Sequence, residues 1–431
     1  MRTTVGETSR RPAEGLRRGR TFGNTPGRQS ENGLAGLIAD KSFIHSIDIA
    51  MKTPLWPRRG AACAASSAVF FLAACGGSSD SVDPVAASNY AGRCQLPQAS
   101  AKSPVLPAPT GDSCIGKIGL HLADASRAED YTSDAGDQRE LDIKIWYPIA
   151  SIPGGTRANY LEPAIAPLVK AQLLLPADAP DVVSNAKVGL PLQTTGLYPI
   201  IIFSPGYGMV VEAYTTLLED LASHGFVVIA IDHPYISGAA SLGDGRVVQA
   251  LPGPAAPQQT QEFLDRALTT LVADQRQVLT WMHGPDTGLL AGHLDFAKIG
   301  IVGHSIGGAA AIQTARSDPR AKAGVDIDGA VEGDTSGDWP GPLMFLLSAN
   351  HVADPTIAQV TQRATGPVST YTVKDSGHLD FSDLKWLLDA YVPGLRSDAL
   401  AAMGLGTIGA SEAFQITRGQ VLSFVQKYVA P

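Results

Sequence analysis

Gly303-His304-Ser305-Ile306-Gly307 constrains this chain more than any other segment; the apolar run Ile299-Gly300-Ile301-Val302 enters it and the helix-forming stretch from Ala309 to Ala315 leaves it. A hydrophobic strand, a Gly-x-Ser-x-Gly turn and a helix put a serine on a very tight bend. Side chains two residues to either side would strike the strand or the helix. Glycine at 303 and 307 removes that clash and leaves the Ser305 hydroxyl exposed above a sheet edge. In a chain with 45 glycines the five-residue pattern is weak alone. The flanking strand and helix make it specific.

Around this turn the pattern alternates between strand and helix. Ile115 to Ala123 and Leu141 to Tyr147 read as early antiparallel strands, the second alternating Leu141, Ile143 and Ile145 with polar residues. Residues 159–196 are interrupted by proline, with a helix proposed from Ala164 to Leu175, and read as an insertion near the site. Tyr198 to Phe203 and Phe226 to Ile231 are continuous apolar strands, separated by an amphipathic helix from Val211 to His224. A Gly/Pro/Ala loop spans 236–257, long enough to suggest a functional role, and a long helix follows from Gln258 to His283. Ala323 to Ile327, Leu343 to Leu347 and Thr370 to Val373 are further strands, and Ser411 to Tyr428 is a closing helix. This order predicts an α/β domain over residues 112–431, a doubly wound, mostly parallel sheet of about eight strands.

The front of the chain is different. Residues 1–50 are rich in Arg, Gly, Ser and Thr and read as disordered or as an over-extended translation start. From Met51, a positive region (Lys52, Arg58, Arg59), a short apolar stretch (Ala61 to Ala74) and Leu72-Ala73-Ala74-Cys75-Gly76 form a signal-peptide layout over 51–74. The closing residues resemble the lipobox of bacterial lipoproteins, which implies lipidation of Cys75 and a protein exported to the cell envelope, anchored facing the periplasm or secreted. The competing reading is an Ala-rich buried helix with an ordinary cysteine. Residues 75–111, rich in Gly, Ser, Ala and Pro, read as a linker.

Residues 1–59 hold 11 of the 33 Lys+Arg and 5 of the 41 Asp+Glu, so the remainder carries a formal charge of −14. So acidic a body argues against nucleic acid or anionic lipid as partner, leaving the anchor at Cys75 as the expected membrane contact. Beyond Cys75 two cysteines remain, Cys94 and Cys114. They are either free thiols or, in an oxidising compartment, a disulfide closing a loop of about twenty residues. No Cys/His cluster has zinc-like spacing, so the sequence indicates no metal.

A serine hydroxyl is a poor nucleophile at neutral pH and needs an imidazole base, itself oriented by a carboxylate. Strand-to-helix serines of the α/β-hydrolase fold are followed along the chain by the acid and then the histidine. Of nine histidines only His351 and His378 lie downstream of Ser305. His378, in Asp375-Ser376-Gly377-His378-Leu379-Asp380-Phe381 directly after the last strand, stands where the base belongs. Asp328 and Asp354 follow successive strands, and position alone does not choose the acid between them; Asp326 should face away from Asp328. The oxyanion of a tetrahedral intermediate needs N–H donors, expected from Ile306 and from Tyr207 in Ser204-Pro205-Gly206-Tyr207-Gly208. A plain strand-to-helix turn is the alternative for that loop.

With these residues placed, the chain resembles the platelet-activating-factor acetylhydrolase type of α/β-hydrolase from about Ile143 to Phe381. The likeness rests on Ile145-Trp146-Tyr147-Pro148, Phe203-Ser204 with Gly206, Leu221 to Phe226, the Ser305 turn with Gly307-Gly308, Asp328, Pro342-Leu343, and Ser376 to Asp383. It implies a serine esterase without cofactor, acting on a small-molecule or lipid ester, with the acid after the strand that follows the nucleophile helix; that favours Asp328. Pro205 departs from the family's usual histidine. Ser-Pro-Gly-Tyr there is similar to bacterial cutinases and polyester hydrolases, whose acid lies one strand later. A catalytically inactive binding lipoprotein and a dienelactone-type hydrolase are the rival expectations, the latter disfavoured because those enzymes generally carry Cys where Ser305 stands.

Overall fold

A computed structural model describes residues 90–430, apart from 174, 176, 195, 252–260, 350 and 352–353. The expected signal segment and Cys75 lie outside the described residues. Among the described residues, twelve strands are β1 (Cys114–Ala128), β2 (Gln138–Ile149), β3 (Arg157–Asn159), β4 (Val183–Val188), β5 (Tyr198–Ser204), β6 (Val227–Asp232), β7 (Ala240–Ser241), β8 (Val247–Val248), β9 (Leu294–His304), β10 (Ala323–Ile327), β11 (Leu343–Ser348) and β12 (Val368–Val373). The same residues form eight α-helices, α1 (Ala166–Gln172), α2 (Thr215–Ser223), α3 (Gln261–Met282), α4 (Ile306–Ser317), α5 (Pro355–Arg363), α6 (Leu384–Tyr391), α7 (Ser397–Ala402) and α8 (Ala410–Tyr428).

Ten strands form one sheet in the order β12-β11-β10-β9-β5-β6-β2-β1-β4-β3, and β7 pairs with β8. From β6 to β12 every pairing is parallel, whereas β2 runs antiparallel to both β6 and β1. The reason is in the residues. Ile200 to Phe203 and Val227 to Ile231 are fully buried, as continuous apolar strands must be when helices cover both faces. On one face α3 and α4 meet through Phe263, Ala267, Leu271, Ile306, Ala309 and Ala310. Val421, Phe424 and Val425 of α8 close the main core. Among the described residues, no helix is long and apolar enough to cross a membrane.

The sheet exceeds the expected eight strands because β3 and β4 extend it within the supposed insertion. Their residues carry no apolar strand signal, since their polar atoms find partners inside the protein. Ser184 Oγ donates to Ala158 O, and Glu219 of α2 accepts from Asn185 N, Asn185 Nδ2 and Ala186 N. The helix expected over 164–175 is confined to α1.

The helix expected from Val211 begins as a 3-10 turn over Val211–Tyr214, and α2 then has no wet face: all of its residues are buried. Its polar side is covered by the end of the supposed linker, where Asp220 Oδ1 accepts from Thr110 N at 2.7 Å and Ser223 Oγ from Gly111 N at 2.9 Å. Tyr90, Cys94 and Leu106 are buried as well, so residues 90–111 belong to the domain rather than to a tether. Cys94 and Cys114 are bridged, their Cα atoms 5.4 Å apart across a sequence separation of 20. Closing a loop of that length contributes about 3 kcal/mol in the chain-entropy account.

Candidate active site

Ser305 sits between β9 and α4 with φ 55° and ψ −127°. Such a backbone is strained for a side-chain-bearing residue, by about 1–3 kcal/mol, and persists only because its surroundings over-determine it. Gly303 and Gly307 supply the determination. A Cβ on Gly303 would lie 2.1 Å from Gly307 O, and one on Gly307 2.3 Å from Ser204 O. Strand, Ser305 turn and the loop after β5 are therefore in backbone contact. Ile306 is the first helical residue, and its N–H has no intrahelical acceptor.

The loop after β5 is held from beneath. Ser204 Oγ lies 3.0 Å from His233 Nε2 and accepts from Gln275 Nε2 at 2.9 Å; His233 Nδ1 is 2.8 Å from Asp274 Oδ2. Asp274 is paired with Arg139 at 2.6 Å and Arg127 at 2.5 Å. Burial opposes ionisation of Asp274, but the Arg139 charge and the His233 hydrogen bond outweigh it and hold the carboxyl well below the usual range. This serine–imidazole–carboxylate chain is wholly buried, so it anchors the loop and meets no substrate. Sequence reading missed it. Its only signal is polar residues on the inward face of α3. Above it, the Tyr207 ring packs on the cluster containing Ile306, 5.3 Å from Phe263.

His378 opens a 3-10 turn over His378–Phe381 after β12, and Asp328 directly follows β10 with φ 56°. Asp328 Oδ2 lies 2.7 Å from His378 Nδ1. Its other oxygen, Oδ1, accepts from Ser348 N at 2.5 Å. Desolvation would raise this carboxyl; the close imidazole of His351, the hydrogen bond from His378 and the charge on both rings win and hold it far below the carboxylate range. Asp354 is engaged elsewhere. It caps α5, accepting from Thr356 N at 2.7 Å and Thr356 Oγ1 at 2.6 Å. Asp326 instead accepts from Gly329 N at 2.8 Å.

Two histidines near this pair carried no assignment in the sequence. His351 Nδ1 is 2.7 Å from Asp328 Oδ1, yet the approach lies outside hydrogen-bond geometry, so the contact is an ion-pair distance without a bond. Asp328, His351 and His378 thus converge in space although their spacing along the chain gives no metal pattern. His304 is fully buried. Its Nε2 is 2.9 Å from the His378 carbonyl and its Nδ1 2.8 Å from Tyr214 Oη. A carbonyl only accepts, so Nε2 carries the proton and Nδ1 accepts from the tyrosine. Tyr214 Oη in turn accepts from Gly206 N at 3.4 Å. One neutral imidazole therefore links the loop of His378 to the loop after β5.

Burial first, and then the nearby His378 charge, pushes His304 down to about 3. An unfolded histidine titrates near 6.5, so between those values only the unfolded chain binds the proton, and stability falls as pH drops below 6.5. Between pH 7 and pH 4 the loss from this group is about 3 kcal/mol. His304→Gln should therefore lose about 3 kcal/mol less than the unsubstituted protein over that range in urea unfolding. Parallel pH profiles would show that His304 is not the responsible group.

The His304 and His378 ring centroids are 4.6 Å apart, so the second imidazole stands beside the Ser305 turn, with Nδ1 committed to Asp328. Among the described residues the Ser305 hydroxyl forms no hydrogen bond, and such contacts often tighten only with substrate in place. A hydroxyl on a strained turn, an imidazole oriented by a carboxylate and an unsatisfied helix N–H make a geometry suited to acyl transfer.

The family model described as platelet-activating factor acetylhydrolase, isoform II, matches residues 131–247 and 276–430. A platelet-activating factor acetylhydrolase of Cavia porcellus is 28% identical over 275 residues, covering 57% of this chain and 60% of that protein. One from Canis lupus familiaris is 25% identical over 280 residues, covering 58% and 61%. The chain thus spans about three fifths of the length of these relatives. Among solved structures, a ferulic acid esterase from Streptomyces cinnamoneus superposes with a TM-score of 0.64 at 28% identity, covering 76% of this chain and 93% of that one.

Proposed function

Because the chain belongs to the platelet-activating factor acetylhydrolase, isoform II, family, we propose that it is a serine carboxylic-ester hydrolase. The observation that carries this reading is the 2.7 Å Asp328–His378 pair beside a serine at positive φ. Ser305 Oγ attacks the ester carbonyl while His378 Nε2 takes its proton. Asp328 keeps the other proton on Nδ1 and stabilises the imidazolium that forms. The alkoxide is held by the N–H groups of Ile306 and Tyr207. His378 then protonates the departing alcohol, and water repeats the cycle on the acyl-enzyme. No cofactor enters these steps.

Short acyl esters are the proposed substrates, including acetylated phospholipids. The acetylhydrolase names of the relatives support them. The likeness to a ferulic acid esterase favours a second reading, in which Tyr207 and Phe263 receive an aromatic acyl group. A p-nitrophenyl ester chain-length series beside an acetyl phospholipid, an aryl ester and a polyester film separates these, with kcat/KM expected highest for acetyl. Absence of both ester turnover and labelling by a fluorophosphonate probe would return the chain to the class of inactive binding lipoproteins. The proposed location is the cell envelope. The Cys94–Cys114 bridge suits an oxidising compartment, and a lipid adduct on the peptide beginning at Cys75 is the check.

A further inference from the structure

We propose that Asp328, His351 and His378 form a site for a zinc-class divalent cation, and that occupancy of this site switches hydrolysis off. The binding half rests on geometry; the regulatory half rests on the esterase reading above. One ligand atom from each residue lies within 4.8 Å of the others. Two imidazole nitrogens and a carboxylate are the donor set that zinc takes, with a fourth position left to water.

His351 supplies the second observation. Its Nδ1 is buried without a hydrogen-bond partner, although Asp328 Oδ1 is only 2.7 Å away. A desolvated nitrogen left unsatisfied in this way is costly. It faces the carboxylate off the hydrogen-bonding line, and a cation between them would satisfy both. His378 Nδ1 approaches the other oxygen, also at 2.7 Å. Tetrahedral zinc holds its ligand atoms about 3.3 Å apart, so binding needs the two 2.7 Å contacts to widen by about half an ångström and the most distant pair, within 4.8 Å, to draw in by up to about 1.5 Å. The His351 side chain is 28% exposed and that of His378 14%, which gives an ion entry from solvent. Ser348 N already orients the carboxylate, as outer partners of metal ligands do.

The inhibition follows from proton placement. Zinc takes the Nδ1 lone pair of His378, and the proton held there passes through solvent to Nε2 of the same ring. An imidazole metallated at Nδ1 and protonated at Nε2 has no lone pair for the Ser305 proton. Asp328 is engaged by the ion at the same time. The acid and the base are withdrawn together.

The test is calorimetric titration of zinc chloride into the full chain, with cobalt(II) as a spectroscopic substitute and ester turnover followed in parallel. A saturable site, a visible cobalt band of low-coordinate nitrogen and oxygen ligation, and inhibition reversed by EDTA are expected. His351→Gln should weaken binding and raise the inhibitory zinc concentration at least about tenfold, each variant referred to its own metal-free rate. His351→Cys, which returns a zinc ligand, should recover affinity relative to His351→Gln. Absence of saturable binding by the unsubstituted protein overturns the proposal whether or not the variants fold. Equal inhibition of His351→Gln also overturns it, since the ion would then sit elsewhere. A chain that binds zinc but hydrolyses no ester leaves the site standing and removes the esterase reading.

Discussion

Ser305→Ala should lower kcat for p-nitrophenyl acetate by roughly 10⁴- to 10⁶-fold while the protein unfolds near the original urea midpoint. Removing the nucleophile of a serine triad costs about as much as removing the whole triad, because the remaining members have nothing to activate. The fold should tolerate the change. The Ser305 hydroxyl makes no hydrogen bond among the described residues, and alanine suffers the same strain at φ 55°. Residual turnover would come from the Ile306 and Tyr207 amides. A rate within tenfold of the unsubstituted enzyme, on protein cleared of contaminating esterase, would end the assignment of Ser305.

Asp328→Asn should cost about 10⁴-fold in kcat, the magnitude expected when the base is locked in the wrong tautomer. An amide can still accept from Ser348 N through its oxygen. Its NH2 then faces His378, so the imidazole must accept at Nδ1 and carry its proton on Nε2, where the Ser305 proton has to go. Asp354→Asn is the comparison. Asn caps a helix about as well as Asp, so both stability and kcat should remain near those of the unsubstituted enzyme. The reverse ranking would transfer the acid role to Asp354.

The two aspartates show where sequence reasoning stops. Each follows a strand at the same sheet edge, and nothing in local composition separates them. What separates them is that Asp354 meets Thr356 two residues away, whereas Asp328 meets His378 fifty residues away. The missed elements have one cause. Ser184, Asn185 and Glu219 look like surface residues until β4 and α2 are brought together. His233, Asp274 and Ser204 become one chain only when β5, β6 and α3 are assembled. Residues 90–111 read as a tether because their anchors, Asp220 and Ser223, are over a hundred positions distant.

By itself the sequence determined the parallel half of the sheet and the serine turn, because these follow from near-neighbour rules. Apolar runs must be buried on both faces, and glycine alone fits where backbones touch. Tertiary structure alone decided which carboxylate meets the imidazole, how His304 ties two loops together, and that His351 comes up to Asp328. Polar groups in a low-dielectric interior need partners, and the chain's path chooses those partners.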